Sequence, residues 1–160
     1  MIKIGDVFEI PLSDDRLAYG QYVYKDKMGP IIQVFDLISE KKIRIDQFDK
    51  YKPLFPPIIT GLFAAIRANI WTVIGRKEVE DFVYPNFVSA YYDEKTGKAN
   101  TWFLWNGEKF ITIGSKLQDN YKKLEYLVGW NPSDVVNRIE TGEYIFPFRE
   151  LILNNEFTPK

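Results

Sequence analysis

Gly5-Asp6-Val7-Phe8-Glu9-Ile10-Pro11-Leu12, Ser13-Asp14-Asp15-Arg16, Leu17-Ala18-Tyr19-Gly20-Gln21-Tyr22-Val23-Tyr24 and Ile31-Ile32-Gln33-Val34-Phe35-Asp36 follow one another at the start of the chain. Three apolar runs separated by polar clusters predict an antiparallel meander of strands. In the first run Phe8, Ile10 and Leu12 share one face, and Val7 and Glu9 the other. Ser13-Asp14-Asp15 is turn chemistry, because short polar side chains bond nearby backbone amides. Gly20 weakens a strand interior, so it marks a bend, a bulge or a close approach. We read that bend as the sign of a strongly curled sheet or small barrel. Lys25 to Pro30 punctuates the chain before the third strand.

Composition narrows the function. The chain has 160 residues, 46% hydrophobic and 27% charged, which predicts one globular domain over 1–160. Cysteine and histidine are both absent. Thiolate chemistry is therefore excluded, and with histidine go the usual general base, the commonest metal ligand and any serine–histidine triad. We expect no enzyme activity and no cofactor. A formal net charge of −1 argues against a nucleic-acid footprint. Aromatic residues reach 16%, more than a small core requires, and tyrosine and tryptophan are favoured at contact surfaces. No apolar run approaches the roughly 20 residues of a membrane span, and Met1 to Asp6 is not a secretory signal. These features predict a cytoplasmic protein.

Further along, Ile38 to Ile45 alternates charged and apolar residues and reads as a charged edge strand. Asp46 to Pro57, with three prolines, reads as a crossing segment and a seam between two halves. Residues 58–67 are ambiguous between helix and strand, and we favour strand. Asn69 to Gly75 is a clear strand, and Val83–Val88 and Ser89–Tyr92 read as further ones. Asp93 to Lys98 is a turn. Trp102-Phe103-Leu104-Trp105 and Lys109 to Ile113 form a hairpin through Asn106-Gly107. A two-residue turn there sets Trp105 opposite Glu108, Phe103 opposite Phe110 and Trp102 opposite Ile111. Trp105, Phe103 and Phe110 then share one face. Both faces are apolar, so the hairpin is either sandwiched or offers a docking surface. Residues 124–130 read as a last strand. Asn131-Pro132-Ser133-Asp134 opens one clear C-terminal helix, about 132–141, which Gly142 closes. The expected class is α+β, mostly β.

The Gly5–Leu12 run, Ala18-Tyr19-Gly20, Val34-Phe35-Asp36-Leu37, Trp71-Thr72-Val73-Ile74-Gly75, Pro85-Asn86-Phe87 and the Asn131–Gly142 helix together resemble the immunity protein 26 family. The resemblance implies an antidote of a bacterial polymorphic toxin system, made in the cytosol, whose partner is a cognate toxin protein. Gly5, Asp6, Tyr19, Gly20, Asp36, Trp71 and Gly75 carry the resemblance and look like a structural signature rather than a catalytic set. Which toxin is bound does not carry over.

Each of these residues also has a plainer reading. Asp6 caps the entry to a strand, Asp36 is a solvated strand position and Trp71 is core. For the partner surface we choose the acidic turns, Asp14, Asp15 and Arg16 together with Asp93 and Glu94, with Trp105 beside them. Negative charge there would speed association with a basic toxin. Two competing functions remain on the residues alone. One is a small-barrel module binding nucleic acid or another ligand through aromatic stacking. The other is a carboxylate-based hydrolase, metal-assisted through Asp14, Asp15 or Asp36.

Overall fold

The computed structural model describes residues 1–48 and 51–160. The chain divides into two compact units, Met1–Val83 with Gly129–Glu143, and Tyr84–Val128 with Tyr144–Lys160.

The first unit is built on the predicted meander. Strands β1 (Asp6–Pro11), β2 (Leu17–Asp26) and β3 (Gly29–Ser39) pair antiparallel, and β4 (Ile58–Thr60), β5 (Thr72–Arg76) and β10 (Gly129–Trp130) complete a six-stranded sheet ordered β10-β4-β3-β2-β1-β5. All neighbours are antiparallel except β10 and β4. Helices α1 (Leu62–Arg67) and α2 (Pro132–Thr141) belong to the same unit. In the second unit β6 (Phe87–Tyr92), β7 (Ala99–Trp105), β8 (Phe110–Gly114) and β9 (Glu125–Tyr126) form a four-stranded sheet ordered β8-β7-β6-β9. Helix α3 (Phe148–Asn154) supplies Leu151 and Ile152 to that unit's core, beside Val88, Trp102 and Tyr126.

The protein is mostly β, but neither sheet closes or curls strongly, so the barrel expectation is wrong. Gly20 explains why it misled. A Cβ on Gly20 would lie 2.7 Å from the Phe8 ring, and the β2–β3 register shifts between Ala18 and Gly20. The glycine makes room for a ring and borders a bulge, without turning the sheet into a barrel. β1 is also buried on both faces: Val7 packs with Tyr19, Phe35 and Phe48 on one, Phe8 stacks on Trp71 on the other, and Glu9 is buried too.

Other boundaries moved for identifiable reasons. Three α-helices occur among the described residues where we expected one. The 58–67 stretch is split: Ile58–Thr60 is strand, and after Gly61 the Leu62–Arg67 segment turns helical. Leu151 lies on a helix, and the 124–130 stretch is two short strands in different sheets. The charged edge strand at 38–45 does not form. β3 runs to Ser39, and a 3-10 turn spans Ile45–Gln47, capped by the Gln47 side chain accepting from the Arg44 N–H at 2.9 Å. The 83–88 strand starts only at Phe87. The 46–57 segment is not the seam, which falls after Val83. Instead Lys52 and Leu54 hydrogen-bond along β3, while Asp49 and Lys50 lie outside the described residues. α2 has the expected bounds, with Gly142 at φ 80 as its left-handed cap, but its first turn is not bonded by the Asn131 side chain.

The β7–β8 hairpin has the predicted faces in a different register. The loop has four residues, because Asn106 Oδ1 accepts the N–H groups of Glu108 at 2.9 Å and Lys109 at 3.0 Å. Trp105 therefore faces Phe110, Leu104 faces Ile111 and Phe103 faces Thr112, and a bulge brings Trp102 opposite Gly114. From Phe103 to Trp105 the slip is two positions, so those side chains keep their faces; the bulge makes it three at Trp102.

Gly20→Ala should destabilise the protein by about 1–3 kcal/mol, since a methyl group must displace the Phe8 ring. Gly129→Ala, where an added Cβ meets nothing within 4 Å, should stay within about 0.5 kcal/mol of the parent. Urea unfolding of both variants checks the pair.

Candidate functional site

The seven signature residues all lie in the first unit, where six of them take part in a structural network. Gly5 sits at φ 99 and donates its N–H to Tyr22 O at 2.8 Å; a Cβ there would come within 2.9 Å of Lys77 O. Asp6 is buried. Its Oδ2 accepts the Lys3 N–H at 2.7 Å and its Oδ1 accepts Arg76 Nε at 2.9 Å. The buried Gln21 amide donates to Gly5 O and Lys77 O, closing the same corner. Tyr19 packs edge-on against Phe48, shares a 3.0 Å hydrogen bond with the Ser39 hydroxyl and accepts the Ile43 N–H. Trp71 stacks on Phe8 with centroids 5.3 Å apart and planes 9° apart. Gly75 leaves space for Ile45, which an added Cβ would approach to 3.1 Å. Asp36 differs from the rest, being exposed, with its backbone N–H bonded to Lys52 O. Among the described residues no three histidine, cysteine, aspartate or glutamate side chains gather as a metal site.

The acidic turns are also tied to their own backbone. Asp14 is exposed and paired with Arg16, Nε to Oδ2 at 2.6 Å. Desolvation works to raise its carboxyl, but the Arg16 hydrogen bonds and charge outweigh that and hold it below 3.8. Asp15 takes a left-handed conformation at φ 67, and the neighbouring Ser13 hydroxyl bonds the Glu140 carboxylate. Asp93 accepts the N–H groups of Lys95 and Thr96 through Oδ1, the expected turn chemistry, and Glu94 is exposed beside it. Asp14, Asp15 and Arg16 belong to the first unit; Asp93, Glu94 and Trp105 belong to the second. Trp105 is buried and is not beside the Asp93 turn. It pairs with Phe87 at the opposite end of the β6–β7 pair, about 20 Å along the strand.

What does adjoin the Asp93-Glu94 turn is an aromatic row across one face of β6, β7 and β8. Tyr91 meets Phe103 edge-on at 4.9 Å, Phe103 meets Phe110 at 6.4 Å, and Phe110 leans on Trp105 at 4.8 Å. Tyr91 is 70% exposed and Phe110 48%, while the Phe87 and Trp105 end is buried. The sequence gives a signal for this row. Period-two alternation sets Phe103, Trp105 and Phe110 on one face, and Tyr91 joins them once β6 is registered against β7. Sequence alone does not show that Trp105 is covered while Tyr91 is open, because that depends on how β6 and β8 flank β7.

A family model described as immunity protein 26 matches residues 3–98, well over half of the chain. The chain belongs to the immunity protein 26 family. The matched span holds all seven signature residues and ends before the Asn131–Gly142 helix. No curated protein and no solved structure matches the chain. No helix among the described residues is long and apolar enough to cross a membrane.

Two tyrosines contribute stability that falls at alkaline pH. Burial pushes the Tyr22 hydroxyl above 10.0; burial does the same at Tyr92, helped by the charges of Tyr126 and Glu94. The folded state thus holds these protons after the unfolded chain has lost them. Their stabilising effect is complete below pH 10 and is lost as pH rises through the raised values. A Tyr22→Phe, Tyr92→Phe double variant should lose less stability than the parent between about pH 9 and 11, read by urea unfolding.

Proposed function

We propose that this protein is the antidote of a bacterial toxin, acting in the cytoplasm by binding a cognate toxin domain and covering its working surface. Family membership carries the reading. The chemistry of the chain supports it: without histidine or cysteine, physical occlusion asks nothing of the side chains that the sequence does not supply. The contact surface in this proposal starts at the acidic turn of Asp93 and Glu94 and continues over Tyr91, Phe103 and Phe110. Exposed aromatic rings supply contact area at small entropic cost, and the adjacent carboxylates steer a basic partner. Asp14, Asp15 and Arg16 form a second acidic contact in the same proposal. Trp105 acts from beneath, by fixing the Phe110 ring.

The nucleic-acid alternative depended on a small barrel, and neither sheet is one.

Co-expression with the toxin encoded beside it tests the function. Cells should grow when both are made and stop growing when the antidote is omitted; continued arrest with both present contradicts the proposal. Tyr91→Ala with Phe110→Ala should weaken toxin binding by at least tenfold, about 1.4 kcal/mol, while the protein stays folded by circular dichroism. Glu94→Lys should mainly slow association and flatten its salt dependence.

A further inference from the structure

β8 is an edge strand left open. Edge strands are ordinarily kept short, broken or charged, because their free N–H and C=O groups pair with other chains. The other edges follow that rule. β9 and β10 are two residues long, and β5 is interrupted in its middle, where the register passes from Val7–Gly75 to Phe8–Val73. β8 runs for five residues, Phe110-Ile111-Thr112-Ile113-Gly114, with no charge and no proline. Its bulge falls at the Gly114 end and leaves Phe110 to Thr112 regularly paired with β7. Among the described residues its outer side has no backbone partner, and Phe110, Ile111 and Thr112 are all exposed.

The residues along this edge complement themselves when read in the reverse direction. We infer that β8 pairs antiparallel with β8 of a second copy of this chain, about a two-fold axis at Thr112. Thr112 then faces Thr112, Ile111 faces Ile113, and Phe110 faces Gly114, where the missing side chain leaves space for the ring. Two residues further, past Lys109 opposite Ser115 and beyond the ends of the strand, Glu108 comes opposite Lys116, and the symmetry makes that pair twice. Both are exposed, and among the described residues neither forms an ion pair within its own chain. Moving the axis by one residue, to Ile111 or to Ile113, sets Glu108 opposite Gly114 or Gln118 and loses that pair. The product is a continuous eight-stranded sheet whose aromatic faces join. This inference concerns the edge of the sheet and does not depend on any toxin.

A five-residue edge buries less than the roughly 1,200 Å² of a stable interface, so the dimer is weak and concentration-dependent. Sedimentation equilibrium of the full chain, from about 1 µM to 1 mM, should show a reversible monomer–dimer equilibrium. Glu108→Lys should weaken it by about tenfold, since two attractive pairs become repulsive. Adding Lys116→Glu should restore the parental constant to within about threefold. Ile111→Lys, at an exposed position, should leave only monomer. Amide exchange at 110–114 should slow as concentration rises. A monomer at every concentration overturns the inference. So does a dimer that Glu108→Lys leaves unchanged, or one that the double charge exchange fails to restore.

Discussion

The first unit depends on where one ring can go. Phe8 projects from β1 into space that Gly20 vacates on β2, and Trp71 lies flat against it at 5.3 Å from just before β5. Three segments far apart in the chain thus agree on one position for one side chain. Any Cβ at residue 20 would contest that position, which is why a glycine is tolerated inside a strand where it otherwise costs backbone entropy. The opposite face of the same sheet is organised by Tyr19, packed on Phe48 and hydrogen-bonded to Ser39 and Ile43. Alternate residues of β2 therefore lock two different layers. The residues through which this chain resembles the immunity protein 26 family make up largely this arrangement, together with the Gly5–Asp6–Arg76 corner.

Such a set of residues describes a scaffold: its buried acid, Asp6, is committed to the Lys3 amide and to Arg76, while Asp36 stays in solvent. The second unit is different. It presents Tyr91 and Phe110 on an open sheet face and leaves the edge of β8 unfinished. The family match runs into this unit as far as Lys98, so it covers Tyr91 and the Asp93-Glu94 turn but not Phe103 or Phe110.

Much of this was legible in the residues. The meander, the turn at Asp93, the α2 helix with its glycine cap and the shared face of Phe103, Trp105 and Phe110 all follow from local rules of periodicity and turn chemistry. What failed was set by tertiary context. A glycine inside a strand signals either a bend or a close approach, and only the position of Phe8 decides between them. The Asn106 loop was mis-sized because a side-chain carbonyl captured two amides, a choice the dipeptide Asn-Gly does not reveal. The two-residue slip preserved the faces, so the aromatic row survived the error. Trp105 was misplaced because composition says which residues favour contacts, not which ring a neighbouring strand has covered.

The most direct test of the central claim is an amide-exchange footprint of the protein with its toxin bound. Protection concentrated at 89–94, 101–105 and 110–113, with a second patch at 13–16, is the predicted result. Protection confined to the signature residues of the first unit, or no protection anywhere, would contradict it.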